Sequence, residues 1–126
     1  MTATTGEHRR LTRSADFDAV YRRGRSRSSR HLVVFVFPRD PPNDAGGEAA
    51  RVGIAVSRKV GGAAERNRVK RQLREACARI EGQLPRGADV VLTARSGLAE
   101  AIDGQGFEWL VAEIGALLRP REEPPG

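Results

Sequence analysis

The sequence predicts a mixed α/β (α+β) domain with its elements in the order α-β-β-α-β-α. Three observations lead there. Short runs of β-branched and aromatic residues stand at 31–37, 51–57 and 88–94. Between the second and third, apolar residues return at Val69, Leu73, Ala76, Cys77 and Ile80, the spacing that lines one face of a helix. Amphipathic segments flank the whole. A chain of 126 residues suits one domain and can bury a real core.

The first helix is expected over 15–23. Ser14 is a start signal, Asp16 and Asp18 suit the first turn, Gly24 is a stop signal, and Phe17, Val20 and Tyr21 share one side. "HLVVFVF" (31–37), closed by Pro38, reads as a strand, and "RVGIAVS" (51–57) alternates with Val52, Ile54 and Val56 on one face. Between them "PRDPPNDAGGEAA" (38–50) consists of turn formers and breakers, a long loop expected to join two antiparallel strands. After Gly61-Gly62 comes a helix over 63–81, ended by Gly82 and Pro85, and then "ADVVLTA" (88–94) as a third strand. Strand, helix, strand makes a βαβ unit, so these two strands should run parallel. A last helix over 106–118 carries Phe107, Leu110, Val111, Ile114, Leu117 and Leu118 as an apolar stripe. Residues 1–10 and the tail 119–126, rich in Pro and charge, are expected to be mobile around a single domain at 11–118.

Charge is the most informative part of the composition. The net charge is +6, and 20 of the 22 basic residues are Arg, whose planar fork matches phosphate oxygens. An Arg-rich, Ala- and Gly-rich composition also fits a G+C-rich genome. The distribution is sharper than the total: residues 1–30 carry +5 and 51–79 carry +7, while 31–50 carry −2 and 80–126 carry −4. Such segregation is what a protein presenting one face to a polyanion shows. A single cysteine, Cys77, excludes an intramolecular disulfide, and two histidines give no zinc-ligand spacing, which fits a reducing, cytoplasmic setting. No run approaches the ~18 apolar residues of a membrane span, and "MTATTGEHRR" lacks the apolar core of a secretory leader.

Chemistry is hard to find. The phosphate-loop, dinucleotide, nucleophile-elbow and zinc-protease motifs are all absent, and the acids are scattered. His31 suits a surface position and Cys77 the apolar side of its helix. The basic helix is the strongest feature. With Val69 at 0°, the apolar group lies within about 80°, while Lys70, Arg74, Asn67 and Arg71 fill about 100° to 200°. Solvated charge is the ordinary meaning of such a face. Yet Glu75 is the only acid between Arg66 and Arg79, so the stripe repels itself unless something anionic offsets it. Arg22, Arg23, Arg25, Arg27 and Arg30 repeat the theme beside Phe17 and Tyr21. Those two rings fit a core, and they equally fit a surface where bases stack while guanidinium groups hold phosphates. Ser57, Arg58 and Lys59 at a strand end, before two glycines, fit either a phosphate contact or a simple turn.

"RVGIAVSRKVGGAAERNRVKRQLREA" (51–76) closely resembles the central block of the bacterial ribonuclease P protein subunit, with its Ser-basic-Lys turn and its Arg-Asn-Arg motif on a helix. "RSADFDAVYRRGRS" and "RHLVVF" resemble that family's amino-terminal helix and first strand. The likeness extends in order and spacing from Leu11 to Leu118. It implies a two-layer α/β sandwich whose βαβ crossover has the uncommon left hand. It further implies the protein partner of a catalytic RNA that, with Mg²⁺, removes the 5′ leader of precursor tRNA. The protein would then be a subunit of an endoribonuclease without catalytic residues or metal ligands of its own, and with neither membrane nor obligate protein partner. By the same resemblance Arg66, Asn67, Arg68, Lys70, Arg71 and Arg74 face RNA, with Ser57, Arg58, Lys59 and Arg30 nearby. Phe17, Tyr21 and Phe35 match cleft aromatics that meet the single-stranded leader, and position 32 is Leu where relatives often carry a ring.

Three other readings compete. A general RNA-binding or ribosomal-type protein would bind without promoting cleavage by a ribonuclease P RNA. A DNA-binding regulator would use 63–81 as a recognition helix, although the adjacent strands and the lack of a helix-turn-helix partner argue against it. A stand-alone nuclease would act without RNA.

Overall fold

Alternation along the apolar runs assigns each side chain to one face of a five-stranded sheet. A computed structural model describes residues 9–38 and 49–119. Its elements in chain order are β1 (Arg9–Arg10), α1 (Ser14–Arg23), β2 (Arg25–Ser28), β3 (Leu32–Pro38), β4 (Arg51–Val56), α2 (Ala63–Arg79), β5 (Ala88–Ala94), α3 (Leu98–Gln105) and α4 (Phe107–Leu118). Strands lie in the order β1-β4-β5-β3-β2. β4 and β5 pair in parallel, as a crossover helix requires, and β3 runs antiparallel to β5.

The 31–37 and 51–57 strands run antiparallel, as expected, but they are not neighbours, because β5 lies between them. Six of the seven β5 residues are buried, and a strand covered on both faces belongs at the centre of a sheet. The two outer strands β1 and β2, and helix α3, add to the six expected elements. Arg9 and Arg10 had been expected in a mobile segment; instead they pair with Arg51 and Val52, and Leu11 N–H continues the pairing to Val52 O at 2.8 Å. Burial of Leu11 fixes this strand from its far end. The mobility expected for 1–8 and 120–126 lies outside the described residues, as does most of the 38–50 loop.

One face of the sheet carries the main core. Leu32, Val34, Val52, Val90 and Leu92 point toward α2, α3 and α4, which contribute Val69, Leu73, Cys77, Leu98, Ile102, Leu110 and Ile114. Each fully buried aliphatic side chain among these stabilises the fold by roughly 1.5–3 kcal/mol. The opposite face receives α1 through a smaller cluster of Leu11, Val20 and Val91, with Phe17, Phe35 and Phe37 packed on it. Gly53 permits this approach: a Cβ there would stand 2.5 Å from Phe17 Cζ.

Local boundaries follow local chemistry. α1 begins one residue early, so Ser14 enters the first turn and Arg13 is the cap, without a side-chain hydrogen bond. α2 ends at Arg79 rather than 81, and Glu81–Gln83 continue as a single 3₁₀ turn. Gly106, at φ 97°, separates α3 from α4 with a left-handed backbone that a side chain would disfavour.

Candidate nucleic-acid interface

α2 packs against β4 through Val69, Leu73, Ala76 and Cys77, all buried, and this fixes where its charged flanks point. On the flank toward α3 and α4, Arg68 Nη1 donates to Asp103 Oδ1 at 2.9 Å and its Nη2 reaches Glu65 at 3.4 Å. Farther along, Arg79 pairs with Glu108 at 2.9 Å and covers the ring of Phe107. The opposite flank carries Asn67, Lys70 and Arg71, all exposed, and half-buried Arg74. Among the described residues no carboxylate pairs with Lys70, Arg71 or Arg74. Partial burial, reinforced by the nearby charge of Arg10, lowers the pKa of Arg74 below its ordinary value. An anion at this flank would relieve both effects. Arg10 also locates the stripe, which lies at the β1 edge of the sheet.

The structure thus divides the residues assigned to α2. Asn67, Lys70, Arg71 and Arg74 form the continuous stripe read from helical angles. Arg68 is turned to the other flank and neutralised, and Arg66 is half-buried, with its Nε donating to Gly61 O at 3.2 Å.

Across the sheet, three aromatic rings meet. Tyr21 is 6.3 Å from Phe17 between centroids and stands edge-on to Phe35 at 4.9 Å. Phe17 and Phe35 are half-buried and Tyr21 is 39% exposed, so they form a surface that is apolar yet accessible. The register extends this surface along the α1 face. Val33, Thr93 and Ala55 lie in one row across β3, β5 and β4, all half-buried, and Tyr21 Oη is 3.4 Å from Thr93 Oγ1. Small or β-branched strand residues of this kind carry no sequence signal of a binding floor. Leu32, by contrast, is fully buried in the core on the other face, so a ring at that position would not enter this cleft.

Polar residues gather at one end of the sheet, because Val56, Ala94 and Leu32 are aligned and the chain continues past them into Ser57, Arg95 and His31. Arg58, Lys59, Arg30 and Arg95 are all exposed there. Ser57 Oγ accepts from Lys59 N–H at 3.3 Å, and the amides of Val60 and Gly61 bond Ser57 O and Arg58 O. These amides are spent within the turn, so an anion would meet side chains there. Arg95, which the sequence reading missed, donates to Ser29 O at 3.3 Å and braces the turn that carries Arg30. His31 is half-buried, edge-on to Trp109 at 5.7 Å, rather than a bare surface residue. Arg27 leaves the basic block altogether: it reaches back to the carbonyls of Ala116 and Arg119 at the end of α4.

The model of the family described as Ribonuclease P matches residues 6–120. This chain belongs to the Ribonuclease P family. The family resemblance seen in the 51–76 block thus extends over residues 6–120. The Ribonuclease P protein component of Desulfovibrio desulfuricans is 44% identical over 110 residues, 87% of this chain and 80% of that protein. That of Thermobifida fusca is 39% identical over 119 residues, covering 93% and 78%. Among solved structures, the RNase P protein of Thermotoga maritima superposes with a TM-score of 0.75 at 29% identity, covering 91% of this chain and 100% of that one. The RNase P protein of Staphylococcus aureus gives 0.69 at 27% identity, covering 87% and 97%. The α+β fold expected from the sequence is the fold of these Ribonuclease P proteins.

Proposed function

We propose that this chain, as the protein subunit of ribonuclease P, docks on the catalytic RNA through the α2 stripe and holds the 5′ leader of precursor tRNA in the cleft of Phe17, Tyr21 and Phe35. The carrying observation is the placement of these surfaces against opposite faces of one sheet, so that both can be occupied at once. Arg58, Lys59 and Arg30 at the sheet end would meet phosphates between them. Chemistry then belongs to the RNA, with Mg²⁺ on RNA and substrate oxygens. The carboxylates beside the cleft fit a divalent cation poorly, because Asp16 and Asp89 are both engaged by Arg51. Among the described residues no helix is long and apolar enough to cross a membrane, and we place the ribonucleoprotein in the cytoplasm.

Reconstitution with a cognate ribonuclease P RNA tests the reading. The protein should raise leader removal at low Mg²⁺ and favour leader-bearing over mature tRNA. Binding to RNA without any gain in cleavage would instead favour the general RNA-binding protein.

A further inference from the structure

Beneath the first turn of α1 lies an ion-pair relay that the binding surfaces do not use. Asp89 of β5 is 3% exposed, the one buried charged side chain among the described residues. It stands in register opposite Arg51 of β4, whose Nε and Nη2 each donate to it at 2.8 Å, a bidentate fork. The same guanidinium extends its Nη1 to Asp16 Oδ2 at 3.5 Å. Asp16 belongs to α1 and immediately precedes Phe17, whose ring rests on Gly53, two residues after Arg51 in β4. A rigid sheet residue thus reaches the helix turn from which the outer ring of the cleft projects.

We propose that Arg51, anchored on Asp89, is a positioning residue for the cleft. Through Asp16 it sets the rotation of the first turn of α1, and hence the place of Phe17 over the sheet. Apolar packing and backbone bonds hold this turn only in part, since Phe17 is half-buried and Arg13 caps through its carbonyl without a side-chain bond. A long, weak contact to Asp16 beside a short, forked one to Asp89 is what a fixed post with an adjustable arm requires. The proposal rests on the reading of the cleft as the leader site, and its test separates the two.

The variant is Asp16→Asn in the full chain, which spares the buried Asp89–Arg51 pair. After reconstitution with cognate RNA, the ratio of affinities for leader-bearing and mature tRNA should fall roughly threefold, a fraction of the worth of one stacked base. In a Phe17→Ala background the same change should have no effect on the ratio. Simple loss of a negative charge predicts the opposite pattern: tighter binding of both RNAs, with or without the ring. A second measurement needs no RNA. In the wild-type protein the ring current of Phe17 should displace the Gly53 α-proton resonances from random-coil values, and Asp16→Asn should move them back toward those values. Unmoved Gly53 resonances, or an equal effect in both backgrounds, would overturn the positioning role. Shifted resonances with an unchanged ratio in Phe17→Ala itself would keep that role and remove the leader from the cleft.

Discussion

Arg68 on α2 and Asp103 on α3 are joined at 2.9 Å, with Glu65 as a second partner, and this contact separates Arg68 from the rest of its motif. Its neighbours Asn67 and Lys70 face solvent on the other flank. The two carboxylates raise the pKa of Arg68 above its ordinary value, the hydrogen bond to Asp103 being the main cause, so the group stays fully charged. Its charge is locally cancelled all the same.

Arg68→Ala and Arg71→Ala should therefore differ although the residues are three apart. Loss of Arg71 should weaken binding to the cognate RNA by about tenfold or more, the worth of roughly one charge-assisted contact. Loss of Arg68 should change affinity by less than about twofold and show instead as a small drop in thermal stability, in keeping with an exposed ion pair. Filter binding and thermal melts on the two variants decide this. Equal losses of affinity would mean that Arg68 leaves Asp103 when RNA arrives.

The three free cations of the stripe, with Arg30, Arg58 and Lys59 at the sheet end, also set a salt dependence. If about six phosphates are neutralised on a single strand, the logarithm of affinity falls with the logarithm of salt at a slope of about −4. Lys70→Ala with Arg71→Ala should make that slope shallower by about 1.4, two phosphates' worth, whatever the RNA sequence. A titration that kept its slope in the double variant would place the phosphates elsewhere.

Gly53 and Phe17 make a third point of leverage. A methyl group at 53 would stand 2.5 Å from Phe17 Cζ and 3.1 Å from Leu11 Cβ, so the ring must move. Gly53→Ala should destabilise the fold by about 1–3 kcal/mol, the usual cost of overpacking. It should also lower preference for leader-bearing tRNA while leaving the stripe's salt slope intact. Melting curves and the two binding ratios check this, and an unaffected preference would separate Phe17 from the leader.

Residues with strong local patterns were legible in advance, and those placed by partners were not. α2 and α4 show their apolar stripes directly, and the alternation in β3 and β4 gives their inward faces. β2 is the sequence RSRS, which has no apolar period at all. It is a strand because its backbone pairs with β3 from Arg25↔Val36 to Ser28↔Val33. β1 is two residues on the open edge of β4. α3 has only eight residues, with Gly104 near its end, too short for periodicity to stand out. Strand order was likewise hidden, since the relative direction of β3 and β4 does not say that β5, covered on both faces, lies between them.

The site follows the same rule. Helical angles gave Lys70, Arg71, Arg74 and Asn67 correctly as one flank, because a helix fixes its own geometry. Whether a cation is free depends on what another element brings near it, and nothing in 65–80 announces that Asp103 will sit beside Arg68. For the same reason Arg27 looked like part of a basic surface, yet it serves the carbonyl end of α4. The rings of Phe17, Tyr21 and Phe35 were found by type and resemblance, whereas the row Val33, Thr93 and Ala55 becomes visible only through the register.

Cys77 provides a test of the core beneath the stripe. Its side chain is fully buried against the sheet, and burial pushes the thiol up to about 12 from an ordinary value near 9, outweighing the opposing charge of Arg74. The folded protein therefore keeps the thiol neutral where the unfolded chain ionises it. Below pH 9 both states hold the proton and stability is unaffected by it. Between about 9 and 12 the unfolded state releases a proton that the native state retains, so stability falls as pH rises, by at most about 1.4 kcal/mol per unit. Cys77→Ala should remove that fall while costing some packing, and denaturant titrations of both proteins from pH 8 to the alkaline limit would show it. The native thiol should also resist iodoacetamide at pH 8 and react only after unfolding. Rapid native labelling, or an alkaline loss of stability that persists in Cys77→Ala, would show that α2 opens away from β4 far more readily than its buried face allows.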